Sequence, residues 1–531
     1  MNVGKAANLL GTAVLAGAFL WSVGTVLSRA QKARSGKTQI SFAHWNLESG
    51  LREAFDAVAV QYMRLHPEVE VSQVPVPGRV YQTWTRTGYA GGTLPDLVVL
   101  GGTSDEMLAN YFRPLTAEVN TPNPYNQGTA LADTPWRETF LDGLSKSYGL
   151  ETLQEYYSIP IAAATVRMYY NAQLWREILG ETQPPRNFAE FIAICRRVQD
   201  FAEEKRRAIT PIAGSKFTGE MLLGRLFKSQ TQRLALEINP ERNLAFPANP
   251  TALAFLPGLA SLDDPAIDDG YAIMREVGQF MQPGFLELDR DDAILRFGQG
   301  RALTLPTGVW DYGSIVEQSP FPLGIFEIPM PETDDSRFGK NTLGPVSEAG
   351  EASAVSFLVS ADSKHPDVAI DFLKFLTSQQ GNQIFASISK WPPGIVGVKM
   401  AAETREFQPR TEGAIPGISV APMMYGSGDL YRVQAQNMHL LFGPSGSVAR
   451  LKEGMRPEFA SAVRADLKRQ TKSLRDSARR MDGILGGWEF LGRLGDPAAE
   501  AKKSALWQAQ NTQESQAAWI ESELAGAEEQ P

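Results

Sequence analysis

Residues 40–74 read ISFAHWNLESGLREAFDAVAVQYMRLHPEVEVSQV, and this stretch decides the fold class. A short apolar run, Ile40–His44, precedes Leu51–His66, whose apolar residues recur at the three- and four-residue spacing of an amphipathic helix. Pro67 ends that helix, and Val69–Val74 alternates apolar and polar residues as a strand does. The order strand, helix, strand predicts an α/β layer with mostly parallel strands.

The same alternation continues downstream, where Tyr81–Tyr89 has helical spacing and Asp96–Leu100 is a further buried strand. Ligands of such sheets bind beyond the carboxyl ends of the strands. Loops at two of these ends therefore supply candidate ligand contacts, namely Trp45, Asn46, Glu48, Thr103 and Ser104. The alternatives are a packing role for Trp45 and an ordinary turn at the Gly-Gly-Thr-Ser loop.

Later segments extend the α/β pattern before the composition changes. The predicted elements are a strand region Ile159–Asn171, helices Ala172–Leu179 and Phe188–Glu204 (the latter capped by Asn187), strands Ala302–Leu305, Leu323–Ile328 and Ala354–Val359, and helix Val368–Thr377. From Val448 the chain is rich in Lys, Arg, Glu and Ala and has helical spacing, which predicts a helical C-terminal tail that packs as a strap or presents a solvated face.

The N-terminus contains an uncharged run, Asn8–Leu27, whose twenty residues are long enough to cross the hydrocarbon layer of a membrane. Small residues in Ser28-Arg29-Ala30 also suit cleavage by a signal peptidase, so both an uncleaved anchor and a removed signal stay open. Basic residues follow the run, which by the positive-inside tendency opposes export of the body. We nevertheless expect a periplasmic or extracytoplasmic location, because of the resemblance described below.

Composition argues against several classes of function. The net charge of −9 does not fit a nucleic-acid-binding protein, which needs a basic face for the phosphate backbone. Cys195 is the single cysteine, and the four histidines lack metal-binding spacing, so we expect no disulfide, metal or other cofactor. Adjacent acidic pairs such as Asp263-Asp264 lack the defined separation across a cleft that glycosidases use, and no common catalytic motif is present. We therefore expect no enzymatic activity.

Several stretches, in this order and spacing, resemble the bacterial extracellular solute-binding proteins of ABC importers, family 1, the relatives of maltose-binding protein. They cover about 380 positions and read FAHWNLESGLREAFDAVAVQYMRLHPEVEV (42–71), YQTWTRTGYAGGTLPDLVVL (81–100), YSIPIAAATVRMYYNAQLWRE (157–177), PPRNFAEF (184–191), FGQGRALTLPTGVW (297–310), LGIFEIPMPE (323–332), AVSFLVSADSKHPDVAIDFLKFLTSQQGNQIF (354–385) and WPPGIVGV (391–398).

This resemblance implies a periplasmic-binding-protein-like fold, in which two α/β lobes are joined by a hinge and enclose a ligand in the cleft between them. Residues 38–160 and 345–400 would form one lobe, residues 161–344 and 401–447 the other, and residues 448–531 a helical extension. The implied partners are a small polar ligand, most simply a sugar, and the membrane subunits of an ABC importer.

The resemblance also adds candidate ligand residues. Trp310 matches a tryptophan that commonly stacks on the sugar in this family, and Asp311 beside it would accept hydroxyl hydrogen bonds or cap a helix. Trp391 and Tyr425 fall where relatives carry cleft aromatics. The acidic residue that some relatives have on the first crossing strand is missing from Ala162–Thr165. If Arg167 points inward it would serve instead and would favour a ligand with a negative group; the alternative is a surface arginine.

A second function stays open at this stage, that of a membrane-tethered sensor or scaffold. Such a protein would use the same cleft but signal through the N-terminal anchor or the C-terminal tail.

Overall fold

A computed structural model describes residues 36–99, 105–144, 148–149, 153, 155–181, 183–238, 252–256, 258, 260–349, 353–418, 428–497 and 499–529. Its strands are β1 (Thr38–His44), β2 (Val69–Pro75), β3 (Leu97–Val99), β4 (Tyr148–Gly149), β5 (Glu155–Tyr156), β6 (Ser158–Ala163), β7 (Val166–Asn171), β8 (Thr210–Ile212), β9 (Ala302–Gly308), β10 (Leu323–Phe326) and β11 (Ser353–Val359).

The helices follow the same chain order. They are α1 (Leu51–Leu65), α2 (Gly78–Gly91), α3 (Asp105–Tyr111), α4 (Thr116–Val119), α5 (Ala172–Leu179), α6 (Phe188–Glu204), α7 (Lys216–Gly219), α8 (Arg225–Gln230), α9 (Gln232–Ile238), α10 (Pro265–Gly278), α11 (Arg290–Gly298), α12 (Tyr312–Gln318), α13 (Pro366–Leu376), α14 (Gln379–Ser389), α15 (Asp429–Asn437), α16 (Val448–Arg493) and α17 (Ala499–Glu529). Glu220–Gly224 forms a π-helical turn between α7 and α8.

The first lobe is built on a five-stranded sheet in the order β2-β1-β3-β11-β6. Strands β1, β2 and β3 are parallel, with Thr38 opposite Val69 and Phe42 opposite Leu97, which confirms the parallel layer predicted for this region. Strand β11 is antiparallel to both of its neighbours, β3 and β6. The reason is topological: the chain leaves this lobe at the end of β6 and re-enters it at the same end of the sheet.

The second lobe is built on a four-stranded sheet in the order β10-β7-β9-β8. Strand β7 is antiparallel to β9 and β10, whereas β8 and β9 are parallel. Ala164 and Thr165 separate β6 from β7, so the region predicted as one strand is two strands in different sheets. This crossing lies where the resemblance placed it.

Apolar side chains on both faces of the first sheet bind it to helices. On one face Phe42 contacts Phe55 of α1 and Phe372 of α13, with ring centroids 5.4 and 5.7 Å apart. On the other face Ala43 and Val98 pack with aromatic residues of α2. The strands are thus buried on both sides, which explains their nearly continuous apolar sequences.

Local signals fix several helix ends. The Asn187 side chain accepts a hydrogen bond from the backbone N–H of Glu190, so it caps α6 as predicted. Helix α13 begins at Pro366 with His365 as its N-cap residue. The proline at the first helical position replaces a side-chain cap, because its missing N–H needs no partner there.

The C-terminal helices α16 and α17 form an antiparallel hairpin that contacts both lobes. Leu451, Met455 and Leu467 in the first half of α16 belong to the core of the second lobe. Trp488 near the end of α16 and Leu506 of α17 pack with the aromatic cluster on the first lobe. The charged tail therefore fastens the two lobes to each other along one side.

Among the described residues, no helix combines the length and apolar character needed to cross a membrane. The apolar run Asn8–Leu27 lies outside the described residues.

Candidate ligand-binding cleft

A cavity of about 490 Å³ lies between the two lobes. Its floor consists of the two crossing segments, Ala164–Val166 and Ser353–Val355. The walls come from the loop after β1, from the α7–α8 region and from the turn after β9. Side chains lining these walls are Trp45, Asn46, Glu48, Phe217, Met221, Arg225, Arg290, Trp310, Glu348 and Trp391.

Aromatic rings line this cavity on both sides. Trp45 packs edge-on against Tyr81 with ring centroids 5.0 Å apart, and Trp310 packs edge-on against Phe217 at 6.3 Å. Trp310 lies over Gly308, where an added Cβ would come within 2.3 Å of its ring. Glycine is therefore required at position 308 for the indole to take this place. Both indoles are held by neighbouring rings and keep part of their surface free.

Two polar side chains of the loop after β1 line the cavity, and each has one oxygen that accepts no hydrogen bond from the described part of the protein. Asn46 Oδ1 and Glu48 Oε2 are buried and accept no hydrogen bond within the described part of the chain. Burial is the main cause that raises the pKa of Glu48 above its ordinary value. Buried acceptors without a partner are costly, so these two oxygens are placed to receive donors from a ligand.

Asp311 is buried and already engaged, which limits its role. Its carboxylate accepts hydrogen bonds from the Arg290 guanidinium and from Thr307 Oγ1. The side chain makes no helix-capping bond to α12. Arg290 lies over the Phe217 ring at 5.3 Å, so Asp311 positions a cation at the cavity wall.

Arg167 does not line this cavity; it lines a neighbouring cavity of about 310 Å³, which shares Val166, Arg225 and Glu348 with it. Its guanidinium donates to both carboxylate oxygens of Glu348, at 2.8 and 2.9 Å, and to the carbonyl oxygens of Glu406 and Gln408. The side chain is 4% exposed. Arg167 therefore joins the segments that run between the lobes. The expectation that it receives an anionic ligand does not fit this placement.

Of the predicted ligand residues, the structure brings Trp45, Asn46, Glu48, Trp310 and Trp391 to one cavity. Thr103, Ser104 and Tyr425 lie outside the described residues. The Asp96 carboxylate accepts a hydrogen bond from Ser41 N–H at 2.8 Å and is thus engaged with the backbone.

Five wall residues of the cavity were missed from the sequence, and they are Phe217, Met221, Arg225, Arg290 and Glu348. The first four lie between α6 and β9, where the sequence indicates only a mixed and mostly helical region. The Ser215 cap of α7 is a local signal for one helix start there, but it does not show which side chains face the cleft.

The lobes touch each other at the mouth of the cleft. Ser49 Oγ of the first lobe donates to Glu317 Oε1 of the second at 2.7 Å. A Cβ added to Gly313 would lie 2.9 Å from the Ser49 carbonyl oxygen. The absence of a side chain at Gly313 is thus what allows α12 to approach the first lobe this closely.

No group of three or more metal-ligating side chains is found among the described residues. The cavity is instead lined by indole rings, carboxylates and guanidinium groups, which suit a polar organic ligand with apolar faces.

Comparisons with known proteins show the family and the fold of this chain. The family model described as bacterial extracellular solute-binding protein matches residues 57–408. A multiple sugar-binding protein of Streptococcus mutans is 21% identical over 382 residues, which are 70% of this chain and 79% of that protein.

Solved structures show the same fold. The solute-binding protein RafE in complex with raffinose superposes with a TM-score of 0.54 at 19% identity, covering 80% of this chain and 100% of that one. The GacH receptor of Streptomyces glaucescens gives a TM-score of 0.55 at 15% identity, covering 80% and 98%. The chain belongs to the family of bacterial extracellular solute-binding proteins.

Proposed function

We propose that this solute-binding protein captures a mono- or oligosaccharide in the interlobe cleft outside the cytoplasm and delivers it to an ABC importer. The observation that carries the proposal is the convergence of Trp45, Trp310 and Trp391 on one cavity, together with the two unpartnered oxygens of Asn46 and Glu48.

The chemistry of a sugar matches this lining. A pyranose has C–H groups on its faces, which pack on aromatic rings, and hydroxyls around its edge, which need hydrogen-bonding groups. The indoles supply the first kind of contact. The oxygens of Asn46 and Glu48 accept from hydroxyls, and the guanidinium groups of Arg225 and Arg290 donate to them.

Relatives support the choice of ligand class. The Streptococcus mutans relative is named a multiple sugar-binding protein, and the RafE structure contains raffinose. At these identities the specific sugar does not carry over to this chain. The ligand class therefore rests on the lining residues together with these names.

Capture is proposed to proceed by closure of the two lobes about the crossing segments. In this proposal the contacts of Ser49 with Glu317 and Gly313 form when the lobes close around the ligand. The chain itself performs no chemistry on the ligand in this proposal.

A thermal-shift screen of the purified chain tests the proposal. A ligand that binds the folded state alone stabilises it by about 4 kcal/mol at a thousandfold excess over Kd. Saccharides should raise the midpoint of unfolding, whereas amino acids and polyamines serve as matched polar controls. The proposed ligand class would be overturned if an amino acid or a polyamine raised the midpoint of unfolding and no saccharide of a broad panel did.

The second candidate, a tethered sensor or scaffold, is favoured by one observation, the C-terminal hairpin that contacts both lobes. Removing residues 482–531 leaves the part of α16 that belongs to the second core but takes away Ile520 and Leu524 of α17, so normal saccharide binding also reports that the truncated chain is folded. If the truncated chain binds saccharide normally but no longer supports its uptake or signalling in cells, the hairpin acts on a partner.

A further inference from the structure

The free end of the C-terminal hairpin carries an exposed apolar surface. Leu494, Phe490 and Trp507 are 68%, 61% and 60% exposed, and no other large apolar side chain of the described residues is exposed as far. We call these three residues the outer tip face. Isolated exposed apolar residues are ordinary, but the three largest exposures in one place indicate an interaction surface.

These residues lie on the side of the hairpin that faces away from the first lobe. Ile484, Leu485 and Trp488 of α16 pack against the first lobe. Phe490 and Leu494 are one helical turn apart on the opposite side. Trp507 lies on α17 between two hydrogen bonds that join α17 to α16, one from Lys503 to Glu489 and the other from Gln510 to Asp482.

Glycines extend this side of α16. Gly483 and Gly487 precede Phe490 at helical spacing, and a Cβ added to either would meet no atom within 4 Å. The glycines are therefore not required for packing within the described chain. They leave the backbone of this face open beside the large apolar side chains.

The outer tip face lies at the end of the first lobe that is remote from the cleft. Trp488 and Leu506 line a small cavity with Arg113 and Ala361. The preceding residue, Ser360, donates its N–H to the Asp96 carbonyl oxygen just before β3 begins. The hairpin thus reaches the end of the sheet where its parallel strands start.

The N-terminal segment enters the lobe at the same end. Strand β1 begins there at Thr38 and runs to the cleft, where Trp45 follows it. Ten residues, 28–37, separate Thr38 from the apolar run Asn8–Leu27. At about 3.5 Å per residue they span at most about 35 Å. If the apolar run is retained as an anchor, the outer tip face is therefore held near a bilayer.

We propose that the outer tip face inserts into the lipid bilayer beside the N-terminal anchor, as a second membrane contact. Tryptophan and phenylalanine with leucine are the side chains that partition into the interfacial region of a membrane. Exposed Arg493, which pairs with Glu489, supplies a cation for anionic headgroups. Two membrane contacts would fix the orientation of the first lobe relative to the bilayer, whereas one contact would not.

The experiment uses the full, uncleaved chain in vesicles of phosphatidylcholine and phosphatidylglycerol at a ratio of 3:1. A Leu494→Cys variant is labelled with an environment-sensitive fluorophore, which is selective because the native Cys195 is buried. The matched control is Leu295→Cys, at a leucine on α11 of the second lobe that is 56% exposed. Both positions are exposed, so neither substitution disturbs a core.

The proposal predicts that lipid-borne spin labels quench the probe at position 494 at least threefold more than the probe at 295. Adding Phe490→Ser and Trp507→Ser should remove most of this difference while the chain stays anchored. Equal quenching at both positions overturns the proposal. Shielding of the 494 probe from aqueous iodide without lipid quenching overturns it too, since that result means that protein covers the face.

Discussion

Replacing Arg167 with methionine should destabilise the junction between the lobes without weakening ligand binding. Arg167 forms a bidentate pair with Glu348, whose carboxylate is itself 12% exposed, and donates to carbonyl oxygens of the 406–408 segment. Methionine keeps much of the apolar stem but leaves the Glu348 carboxylate with the Arg410 N–H and the Arg225 guanidinium, 3.8 Å away, as its remaining partners. Removing one partner of a buried ion pair costs about 3–5 kcal/mol in the free energy of unfolding.

The pH dependence gives a second readout of the same pair. Burial tends to raise the pKa of Glu348, but the hydrogen bonds and charge of Arg167, together with the Arg410 N–H and the charge of Arg225, outweigh burial and lower it. A carboxyl with a depressed pKa contributes stability above its unfolded pKa, and this contribution is lost as the pH falls through the folded pKa. The wild-type chain should lose stability in acid below about pH 4.3 for this reason. The Arg167→Met chain should lose less there.

Urea unfolding followed by tryptophan fluorescence measures the difference, and the double variant Arg167→Met/Glu348→Leu is the matched control. The double variant should recover the part of the loss that comes from the Glu348 carboxylate without Arg167, leaving about 1–3 kcal/mol for the unpaired carbonyl oxygens. Saccharide affinity of the folded single variant should stay within about threefold, a change below 1 kcal/mol. Unchanged stability combined with a tenfold loss of affinity would refute the reasoning and restore Arg167 as a ligand residue.

Three further perturbations address the cleft and the hairpin. Because burial raises the pKa of Glu48, saccharide affinity should fall as the pH drops through that raised value. Glu48→Gln should flatten this dependence of affinity on pH. If calorimetry gives the same pH dependence for both chains, Glu48 is excluded as an acceptor. Gly313→Ala should weaken saccharide binding roughly tenfold, because the added methyl group pushes against the Ser49 carbonyl oxygen. The control Gly486→Ala, where the added methyl group meets open space, should bind as the wild type does. Equal affinities of the two variants in calorimetry would show that full closure is not needed. Leu506→Ala should lower the free energy of unfolding by about 2–5 kcal/mol through lost packing, and should speed amide exchange in α17 but not in α10. If the exchange rates of α17 and α10 change equally, the hairpin does not depend on this contact.

Local periodicity and resemblance were enough to predict most of the architecture. The helical spacing of Leu51–His66 and the capping residue Asn187 placed α1 and α6 within a residue of where the structure has them. The same spacing signal from Val448 onward gave a helical tail. These predictions succeeded because each depends on contacts within one element or between neighbouring segments.

The site was predicted only where it follows directly from strand ends and from the resemblance. Trp45 and Glu48 come directly after β1, and Trp310 after β9, so chain order alone placed them near the cleft. Chain order does not predict the roles of Arg290 and Arg167. Their roles depend on Asp311 and Glu348, which lie 21 and 181 positions away, and only the folded chain shows which cation faces the cavity.

Titration calorimetry of a saccharide panel into the wild-type chain and into Trp45→Ala/Trp310→Ala measures the contribution of the two indoles most directly. Each indole that loses about 100 Å² of apolar contact gives up about 2.5 kcal/mol. We expect at least one saccharide to bind the wild type, and the double variant to bind it at least about 100-fold more weakly. Trp519→Ala, at an exposed tryptophan of α17, should not change the affinity. A saccharide that binds the double variant as tightly as the wild type would contradict the proposed site.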